Sequence, residues 1–370
     1  MKSRADVVII GGGIQGTSVA YHLARQGITD VVLLEMDLVG SGSSGRSAAM
    51  LELAMSQPET IKLSDISYHE YERFPAELDV EPVFRQIGRL SVATEESESE
   101  LREEIGLQRR MHVPIEALDS GQMKQLVPAL RTDDLVLGML CRSDGVLDPH
   151  AIMQTYARAG RRLGVEIDER VQATSIEVEK GRVAGVETTG GRIATGLVVN
   201  AAGARAREVG SWVGLDLPMI NYRRHIFITD AFPQIPDDTP FVDDVAAEWY
   251  FRKEGPGILM GMGREETSLF EPEFDWDFQD KIIQAAIRRV PLLAEARILR
   301  GWAGLRPVTP DDLPIIGIAP GIDGFVNCCG WGGHGVMHAP AGGLLTAEVI
   351  TGGQALSMDI APFRYERFGK

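Results

Sequence analysis

Three glycines near the start of the chain, and one acid beyond them, have the spacing of a dinucleotide-binding site. Gly11, Gly13 and Gly16 follow the apolar run Val7 to Ile10. In such a motif the first glycine permits a tight turn, the second lets the backbone approach a pyrophosphate, and the third lets a helix pack on the strand. The helix start then presents free N–H groups and the positive end of its dipole. The chemistry predicted here is the binding of a diphosphate.

The acid is Glu35, which ends the second apolar run and lies about 20 residues beyond the last glycine. A carboxylate at this strand end accepts hydrogen bonds from ribose hydroxyls, whereas a 2′-phosphate would need an arginine, so NADP is disfavoured. Gly27 stops the helix between the two strands. The alternative is a glycine loop without a ligand, and the ordered series of strand, turn, helix, strand and acid argues against it.

Length, charge and cysteine content limit the classes of protein that the chain can belong to. With 370 residues and 44% hydrophobic content the chain is too long for one ordinary compact domain, so we expect two. A net charge of −16 opposes binding to nucleic acid. No apolar run reaches the ~20 residues that span a bilayer, so no membrane insertion is expected. The 3 cysteines have neither disulfide nor metal-ligand spacing, which predicts no metal site and a cytoplasmic protein.

The remaining chain must supply the elements around this loop. The stretch GSGSSGRSAAM, residues 40–50, exposes amides and hydroxyls that could line a second part of the same ligand, or forms a plain flexible loop. Residues 171–199 predict a three-stranded antiparallel meander, after which LVVNAAG returns to the first sheet. In residues 216–298, strand patterns alternate with one helix pattern. This order predicts a mixed sheet that covers another part of the molecule.

Four stretches together resemble the flavoproteins that oxidise amino acids. They are the opening motif through Glu35, GSGSSGR, LVVNAAGA, and GLRPVTPDDLPIIG with GGHGVMHAPAGG. This family includes glycine oxidase, D-amino acid oxidase, sarcosine oxidase and the β subunits of proline and sarcosine dehydrogenases. The resemblance covers nearly the whole chain, sharply at both ends and in outline between them.

The resemblance implies an α/β fold with two domains. A Rossmann-like FAD-binding domain, with the GxGxxG motif and of the glutathione-reductase type, would be assembled from residues 1–80, 145–215 and 300–370. A second, mixed α+β domain, residues 81–144 and 216–299, would bind the substrate and roof the isoalloxazine ring. The residues that the resemblance assigns to FAD are Gly11, Gly13, Ile14, Gln15, Gly16, Glu35, Ser43, Ser44, Gly45, Arg46, Val171, Ala202, Gly203, Gly332, Gly333, His334, Gly335 and Val336.

Positive potential is needed where negative charge accumulates, at the pyrimidine edge of the flavin. The amides of residues 332–336 can supply it before the last helix, with His334 as a further donor, although a structural histidine is an equally good interpretation. Arg46 resembles the basic residue near the flavin in sarcosine oxidases, or is a surface residue. Sarcosine oxidase tethers its flavin through a cysteine in the stretch that matches residues 302–311, and this chain has none there, so FAD is expected to be noncovalent.

Substrate recognition is predicted from Arg306, because GLRP matches the glycine oxidase motif whose arginine holds the substrate carboxylate. The alternative is a loop-fixing pair with Asp311 or Asp312. Met337 stands where sarcosine oxidase has a carboxylate-binding lysine, so Arg306 acts alone or with the roof. The candidate roof residues are His225, Tyr250 and Arg252, of which the last two share one strand face.

The leading hypothesis is an enzyme that oxidises the Cα–N bond of a small primary or secondary α-amino acid by hydride transfer to FAD, giving an imine. Oxygen or another electron acceptor would reoxidise the flavin. The alternatives are a 2-hydroxy acid oxidase, which needs a histidine base such as His225 or His334, a flavin-bearing β subunit of a hetero-oligomer, and a dinucleotide-binding module without catalysis. A homo- or hetero-oligomer is compatible with each enzyme hypothesis.

Overall fold

A computed structural model of the chain describes residues 1–267, 270, 272 and 274–369. Over these residues the helices α1 to α8 are, in order, Ile14–Arg25, Pro58–Leu78, Glu98–Arg110, Ser120–Leu126, Pro149–Arg162, Ala206–Ser211, Asp277–Arg289 and Ala339–Gly352. The strands β1 to β20 are, in order, Val7–Ile10, Val31–Glu35, Met50–Leu51, Phe84–Gln86, Arg89–Ala93, Ile115–Leu118, Leu137–Cys141, Gly145–Leu147, Glu166–Glu169, Ala173–Glu179, Arg182–Thr188, Gly191–Ala194, Val198–Asn200, Ile220–Thr229, Phe241–Asp244, Trp249–Glu254, Gly257–Thr267, Ile298–Val308, Ile315–Ile318 and Phe325–Cys329.

A six-stranded sheet carries the opening motif, with the order β19-β20-β13-β1-β2-β9. The strands are parallel except for β19, which runs antiparallel to β20 at the edge. Every residue of β1 is buried because helices cover one face, with α1 packed between α5 and α8, and the meander and chain end cover the other. The predicted strand, helix and second strand are confirmed, as is the return of LVVNAAG beside β1.

The predicted meander is also confirmed. Strands β10, β11 and β12 form an antiparallel three-stranded sheet. Its inward side chains pack under the six-stranded sheet, where Val183, Val186 and Ile193 join the same apolar cluster as Val8 and Val32. The meander therefore supports the nucleotide-binding strands from below.

An eight-stranded sheet forms the roof predicted for the middle of the chain, with the order β18-β14-β17-β16-β15-β5-β7-β6. It is antiparallel except where β15 and β5 run parallel. One face packs against α7 through residues such as Phe227, Phe278 and Ile282. Its other face carries Ile226 and Tyr250 toward the first sheet. The expected fold class, a Rossmann-like domain with a mixed second domain, is confirmed.

The roof takes one strand from the segment that the sequence assigned to the FAD-binding domain. Strand β18 pairs with β14 along most of its length, so the predicted boundary at residue 300 falls inside a strand of the larger sheet. The division into domains stays a prediction, and β18 fits the substrate domain better. Among the described residues, no helix combines the length and the apolar character needed to cross a bilayer.

Candidate functional site

A cavity extends from the opening glycine loop to the roof and joins segments that are far apart in the sequence. It begins at the ends of β1 and β2 and continues beneath β14, β16 and β18. The predicted residues that line it are Gly11, Gly13, Ile14, Gln15, Glu35, Ser43, Ser44, Arg46, Val171, Ala202, Gly203, Tyr250, Arg306, Gly332, Gly333, Gly335 and Val336. One elongated ligand could therefore touch both the nucleotide-binding loop and the roof.

The glycines of the opening loop have different roles: some allow the tight turn, and another faces the cavity. Gly11 has φ of +111°, and a Cβ there would lie 2.9 Å from the Cα of Ala202. A Cβ on Gly16 would collide with the carbonyl of Gly11, so Gly16 serves the packing of the turn and does not line the cavity. Gly13 has φ of −73° and faces the cavity before α1. Gly13 is thus open to the cavity where the motif predicts close approach of a diphosphate, and that approach stays a prediction.

Glu35 is held rigidly at the end of β2. Its Oε2 accepts the N–H of Gly12 at 2.8 Å, and its Oε1 accepts the N–H of Asp37 at 2.9 Å. Burial raises the pKa of this carboxyl, while the two amide bonds oppose the rise by stabilising the carboxylate. Each oxygen keeps a lone pair for a further donor. The arrangement fits an acceptor for ribose hydroxyls at the nucleotide end of the cavity.

Residues 40–50 are bound to both the opening loop and the roof. Ser44 accepts the N–H of Ile14 on its Oγ at 3.1 Å. The carbonyl of Arg46 accepts the indole N–H of Trp302 at 3.1 Å, and the Arg46 side chain lines the cavity. A Cβ on Gly45 would collide with the carbonyl of Gly40, so Gly45 packs the loop instead of lining the cavity. The contact of Arg46 with the flavin ring stays a prediction.

The glycine-rich loop before α8 closes the cavity from the tail of the chain. Gln15 on α1 donates its side-chain N–H to the carbonyl of Gly335 at 2.8 Å. Tyr71 donates its hydroxyl to the carbonyl of Val336 at 2.6 Å. The N–H of Gly332 donates to the carbonyl of Pro307 at 2.8 Å, which ties the loop to the end of β18. The two ends of the sequence therefore meet at one cavity.

Arg306 extends from β18 across the tail loop. A Cβ on Gly333 would lie 2.7 Å from the Arg306 Cζ, so the absence of a side chain at Gly333 leaves room for the guanidinium. Asp311, one of the two alternative partners of Arg306, is bound to Arg367 at 2.7 Å. The position of the guanidinium in the cavity is what a carboxylate clamp requires. That role stays a prediction.

His334 lies half-buried in the tail loop, and its neighbours Gly333 and Gly335 line the cavity while His334 does not. Burial disfavours the charged imidazolium, and the positive charge of Arg306 adds to this effect. Together they lower the pKa of His334 to about 4. The imidazole is therefore neutral at pH 7.

Tyr250 lines the cavity from β16. Its ring crosses the neighbouring strand at Gly261, where a Cβ would collide with the phenol, and it stacks on Phe241 with ring centroids 5.2 Å apart. The Tyr250 hydroxyl is buried, and it has no hydrogen-bond partner among the residues that the structure describes. An unpaired buried hydroxyl in a cavity fits a polar group on a ligand.

Two roof residues predicted from strand patterns do not line the cavity. His225 points to the opposite face of β14, where it stacks on Phe278 at 4.8 Å and its Nε2 accepts the N–H of Asp275 at 3.1 Å. Arg252 does lie on the same face as Tyr250, but its guanidinium binds the Ala48 carbonyl at 2.8 Å and the carboxylate of Glu254. His225 does not reach the cavity because side chains alternate across a strand. Arg252 does not line it because the Ala48 carbonyl and the Glu254 carboxylate hold its guanidinium.

The sequence interpretation missed other residues that line the cavity. Arg224 is the clearest case, because it alternates with Ile226 on the correct face of β14 and the RRH run offered it beside the residue that was chosen. Four of the others lie in the stretch of residues 40–50 that the sequence indicated as a second lining of the ligand, although they were not named individually. The missed residues include Ser41, Gly42, Ser47, Ala48, Gln172, Ala173, Arg205, Glu208, Trp212, Arg224, Gly304, Cys328 and Trp331.

Comparison with known proteins agrees with this geometry. Dimethylglycine dehydrogenase, mitochondrial, from Rattus norvegicus is 29% identical over 100% of this chain and 45% of its own length, and sarcosine oxidase subunit beta from Rhizobium meliloti is 28% identical over 99% and 89%. The chain thus spans less than half of the mitochondrial relative. The structure of L-proline dehydrogenase from P. horikoshii has a TM-score of 0.90 at 27% identity, covering 100% of this chain and 99% of that one. The family model for FAD dependent oxidoreductases matches residues 6–349, and the chain therefore belongs to that family.

Proposed function

We propose that this protein oxidises the Cα–N bond of a small primary or secondary α-amino acid to an imine. The observation that carries the proposal is the position of Arg306, which lines the same cavity as the opening loop and lies against the tail loop. A guanidinium in a cavity between two sheets suits a carboxylate ligand. The relatives named for sarcosine, dimethylglycine and L-proline act on such small amino acids, which supports the same substrate class here.

The chain's own residues would bind and orient the substrate. Arg306 would hold the carboxylate through two parallel N–H bonds, which fixes the α-carbon next to it. The buried Tyr250 hydroxyl would donate a further hydrogen bond to a substrate oxygen. His334 would be neutral at pH 7 because its pKa is about 4, so the arginines would supply the positive charge at the roof end. Orientation and electrostatics would then supply most of the rate enhancement.

The positions of the histidines favour an amine over a hydroxy acid as the substrate. Oxidation of a hydroxyl needs a base to accept its proton, and the two candidates were His225 and His334. His225 lies on the far face of β14, bound to the backbone of Asp275. The pKa of about 4 makes His334 a weak base at pH 7. An amine that arrives neutral needs no such base.

FAD supplies the hydride acceptor when it is bound, and we propose that the protein holds it without a covalent bond. Among the described cysteines, Cys328 lines the cavity, and burial raises the pKa of its thiol to about 12. A thiol with this pKa stays protonated and is a poor nucleophile at neutral pH. Denaturation with acid should therefore release free FAD into the supernatant, and flavin that remains with the precipitated chain would contradict this part of the proposal.

The experiment that tests the activity is anaerobic reduction of the purified yellow protein. Glycine, sarcosine, proline, D-alanine and 2-hydroxyglutarate are added in turn, and the loss of flavin absorbance is recorded. We expect reduction by at least one amine and none by the hydroxy acid. In the Arg306→Ala variant, the substrate concentration needed for half-maximal reduction rate should rise about 10- to 100-fold, because a charge-assisted pair is lost.

A matched control comes from the same strand. Arg300 also lies on β18, is exposed, and stacks on Trp302 with its Cζ 5.2 Å from the ring centroid. Arg300→Ala should leave both flavin content and reduction unchanged. Reduction by the hydroxy acid alone, or an Arg306→Ala variant with unaltered substrate dependence, would refute the proposed function.

A further inference from the structure

A second arginine lies close to Arg306 on the same cavity wall. Residue 222 on β14 pairs with Arg306 on β18, so Arg224 occupies the diagonal position two residues farther along β14. Diagonal neighbours in an antiparallel pair are roughly 7–8 Å apart. Both side chains line the cavity. Two guanidinium groups thus face one cavity at the roof.

The acids near Arg224 are engaged elsewhere. Within the described part of the chain, no carboxylate lies within salt-bridge distance of its guanidinium, and its buried Nε has no acceptor. Glu52 feels the charge of Arg224 and Arg306, yet its carboxylate pairs with Arg89 at 3.0 Å. Arg89 also binds Asp243 at 2.8 Å. The described residues therefore include no counter-charge for Arg224.

Tyr250 fixes the direction of Arg224. The Arg224 Cζ lies 5.1 Å from the centroid of the phenol ring, which is the distance of a cation–π contact. The ring itself is held flat across Gly261, where no side chain interferes. The Tyr250 hydroxyl and the Arg224 Nε are both buried without hydrogen-bond partners among the described residues, and both residues face the cavity. A ligand that brings acceptor atoms would satisfy both.

The positive charge at the roof end of the cavity is also larger than one substrate carboxylate would neutralise. The positive charges of Arg306, Arg89 and Arg224 all contribute to the lowered pKa of His334, after the larger effect of burial. Arg89 is neutralised by its acidic partners, but Arg224 is not. A substrate with a single carboxylate would leave this second cation uncompensated in a partly buried site.

We propose that Arg224 binds a second anionic group of the substrate, so that the enzyme prefers amino dicarboxylic acids to amino acids with one carboxylate. The proposal rests on the proposed oxidation of amino acids and names the substrate class of that site. Arg306 would hold the carboxylate beside the reacting carbon, and Arg224 the second one. Arg224 thereby determines specificity and takes no part in the chemical step.

The test uses pairs of compounds that differ by one carboxylate. Sarcosine and iminodiacetate are the oxidisable pair, and methylthioacetate and thiodiacetate are their counterparts without an amine. Dissociation constants of the sulfur compounds are measured on the FAD-loaded protein from the perturbation of the flavin spectrum. We expect thiodiacetate to bind at least about 10-fold more tightly than methylthioacetate, and iminodiacetate to reduce the flavin at lower concentration than sarcosine.

Variants of the neighbouring arginines 223 and 224 test which of them causes the preference for the compound with two carboxylates. Arg224→Gln should weaken thiodiacetate binding about 10-fold or more and change methylthioacetate binding less than about twofold, while Arg224→Lys should recover part of the preference. Arg223→Gln is the matched control, because Arg223 binds Glu265 at 2.8 Å on the other face. Its variant should keep the wild-type preference.

Each outcome separates this inference from the proposed function. Equal binding of the two sulfur compounds, or an equal loss of both in Arg224→Gln, overturns the assignment of Arg224. A changed flavin spectrum or lower FAD content in ligand-free Arg224→Gln overturns it as well, because Arg224 would then serve the cofactor. Selective thiodiacetate binding without reduction by iminodiacetate or by any of the amines of the first experiment supports the second anion site and refutes the proposed oxidation.

Discussion

The two ends of the cavity are built in different ways. At the nucleotide end, binding groups come from the backbone of one short segment, and the single acid Glu35 is fixed by two amide N–H groups. At the roof end, the groups are side chains, and Arg224, Tyr250 and Arg306 come from three strands far apart in sequence. A site made of local backbone depends on where glycines stand. A site made of distant side chains depends on strand register, and small packing changes should disturb it.

The strongest test of this contrast is Gly13→Val. The backbone of Gly13 has φ of −73°, which valine adopts readily, and a Cβ there meets only the Ser44 Oγ at 3.4 Å. The variant should fold, but its side chain would occupy the place where the phosphates approach. We expect FAD affinity to fall at least about 100-fold while the circular dichroism spectrum and melting temperature stay close to wild type. Flavin fluorescence during titration with FAD measures the affinity.

Gly196→Val is the control for Gly13→Val. Gly196 is exposed, and a Cβ there meets no atom within 4 Å. This variant should bind FAD like wild type. If Gly13→Val also retained full FAD occupancy, backbone approach at the opening loop would not be the basis of binding, and the contrast between the two ends would fail.

The next largest effect is expected at the roof from Gly261→Ala. The added methyl group would collide with the Tyr250 ring, which would have to leave its place beside Arg224. We expect the efficiency of flavin reduction by the substrate to fall about 10-fold or more, with FAD affinity unchanged. Stopped-flow reduction measures the first quantity and FAD titration the second.

A double-mutant cycle isolates the cause of that effect. In a Tyr250→Ala background the collision no longer exists, so Gly261→Ala should add little to the defect of Tyr250→Ala. If the two effects instead add in full, Gly261 acts on the site by another route. A loss of FAD in Gly261→Ala would show that the roof also holds the nucleotide.

The same contrast explains what sequence alone predicted. The opening strand, helix and second strand follow from glycine spacing and apolar runs, and Glu35 from its distance to the motif. At the roof, strand patterns located β14 and β16, but they could not decide which residues face the cavity. Adjacent side chains of β14 alternate between the two faces of the sheet. His225 therefore faces α7, while Arg224, which no motif marked, faces the cavity.

Other misses have the same physical origin. Arg252 shares the predicted face with Tyr250, yet its guanidinium is captured by the carbonyl of Ala48, a residue about 200 positions away that no local pattern connects to it. Gly16 and Gly45 belong to the predicted cofactor segments, but a side chain at either would strike a backbone carbonyl. Motif membership therefore predicted segments that border the cavity, but it did not distinguish packing positions from lining positions.

A smaller effect is expected from Glu35→Gln at the nucleotide end. The amide keeps one acceptor but directs an N–H₂ group toward a backbone N–H, of Gly12 or of Asp37. One charge-assisted bond and one ribose acceptor are lost, so FAD affinity should fall about 5- to 10-fold. Isothermal titration with FAD measures this change. An unaltered affinity would mean that Glu35 only holds the opening loop, and the nucleotide end would then depend on backbone alone.

The smallest effect is the contribution of one buried carboxyl group at the roof end to the pH dependence of stability. Asp144 is fully buried near Arg89 and Glu52, accepts the Leu53 N–H at 2.7 Å on Oδ1, and has no partner for Oδ2 among the described residues. Burial raises the pKa of this carboxyl to about 7. Glu35, in contrast, has an amide N–H on each oxygen. The two amide N–H groups thus oppose the effect of burial on Glu35, whereas burial shifts Asp144 further toward its protonated form.

A folded-state pKa above the unfolded value of about 4 means that the folded chain holds the Asp144 proton over a pH range in which the unfolded chain has lost it. This contribution to stability is complete below about pH 4 and is lost as pH rises to about 7. Between about pH 6 and pH 8 it amounts to about 1 kcal/mol of unfolding free energy.

Asp144→Asn cannot titrate, so its stability relative to wild type should improve by that amount over the same interval in urea denaturation. The exposed variant Asp323→Asn should show no such trend. A relative stability of Asp144→Asn that is independent of pH would mean that burial does not raise the pKa of Asp144, and the proposed difference between the buried acids of the two ends would fail.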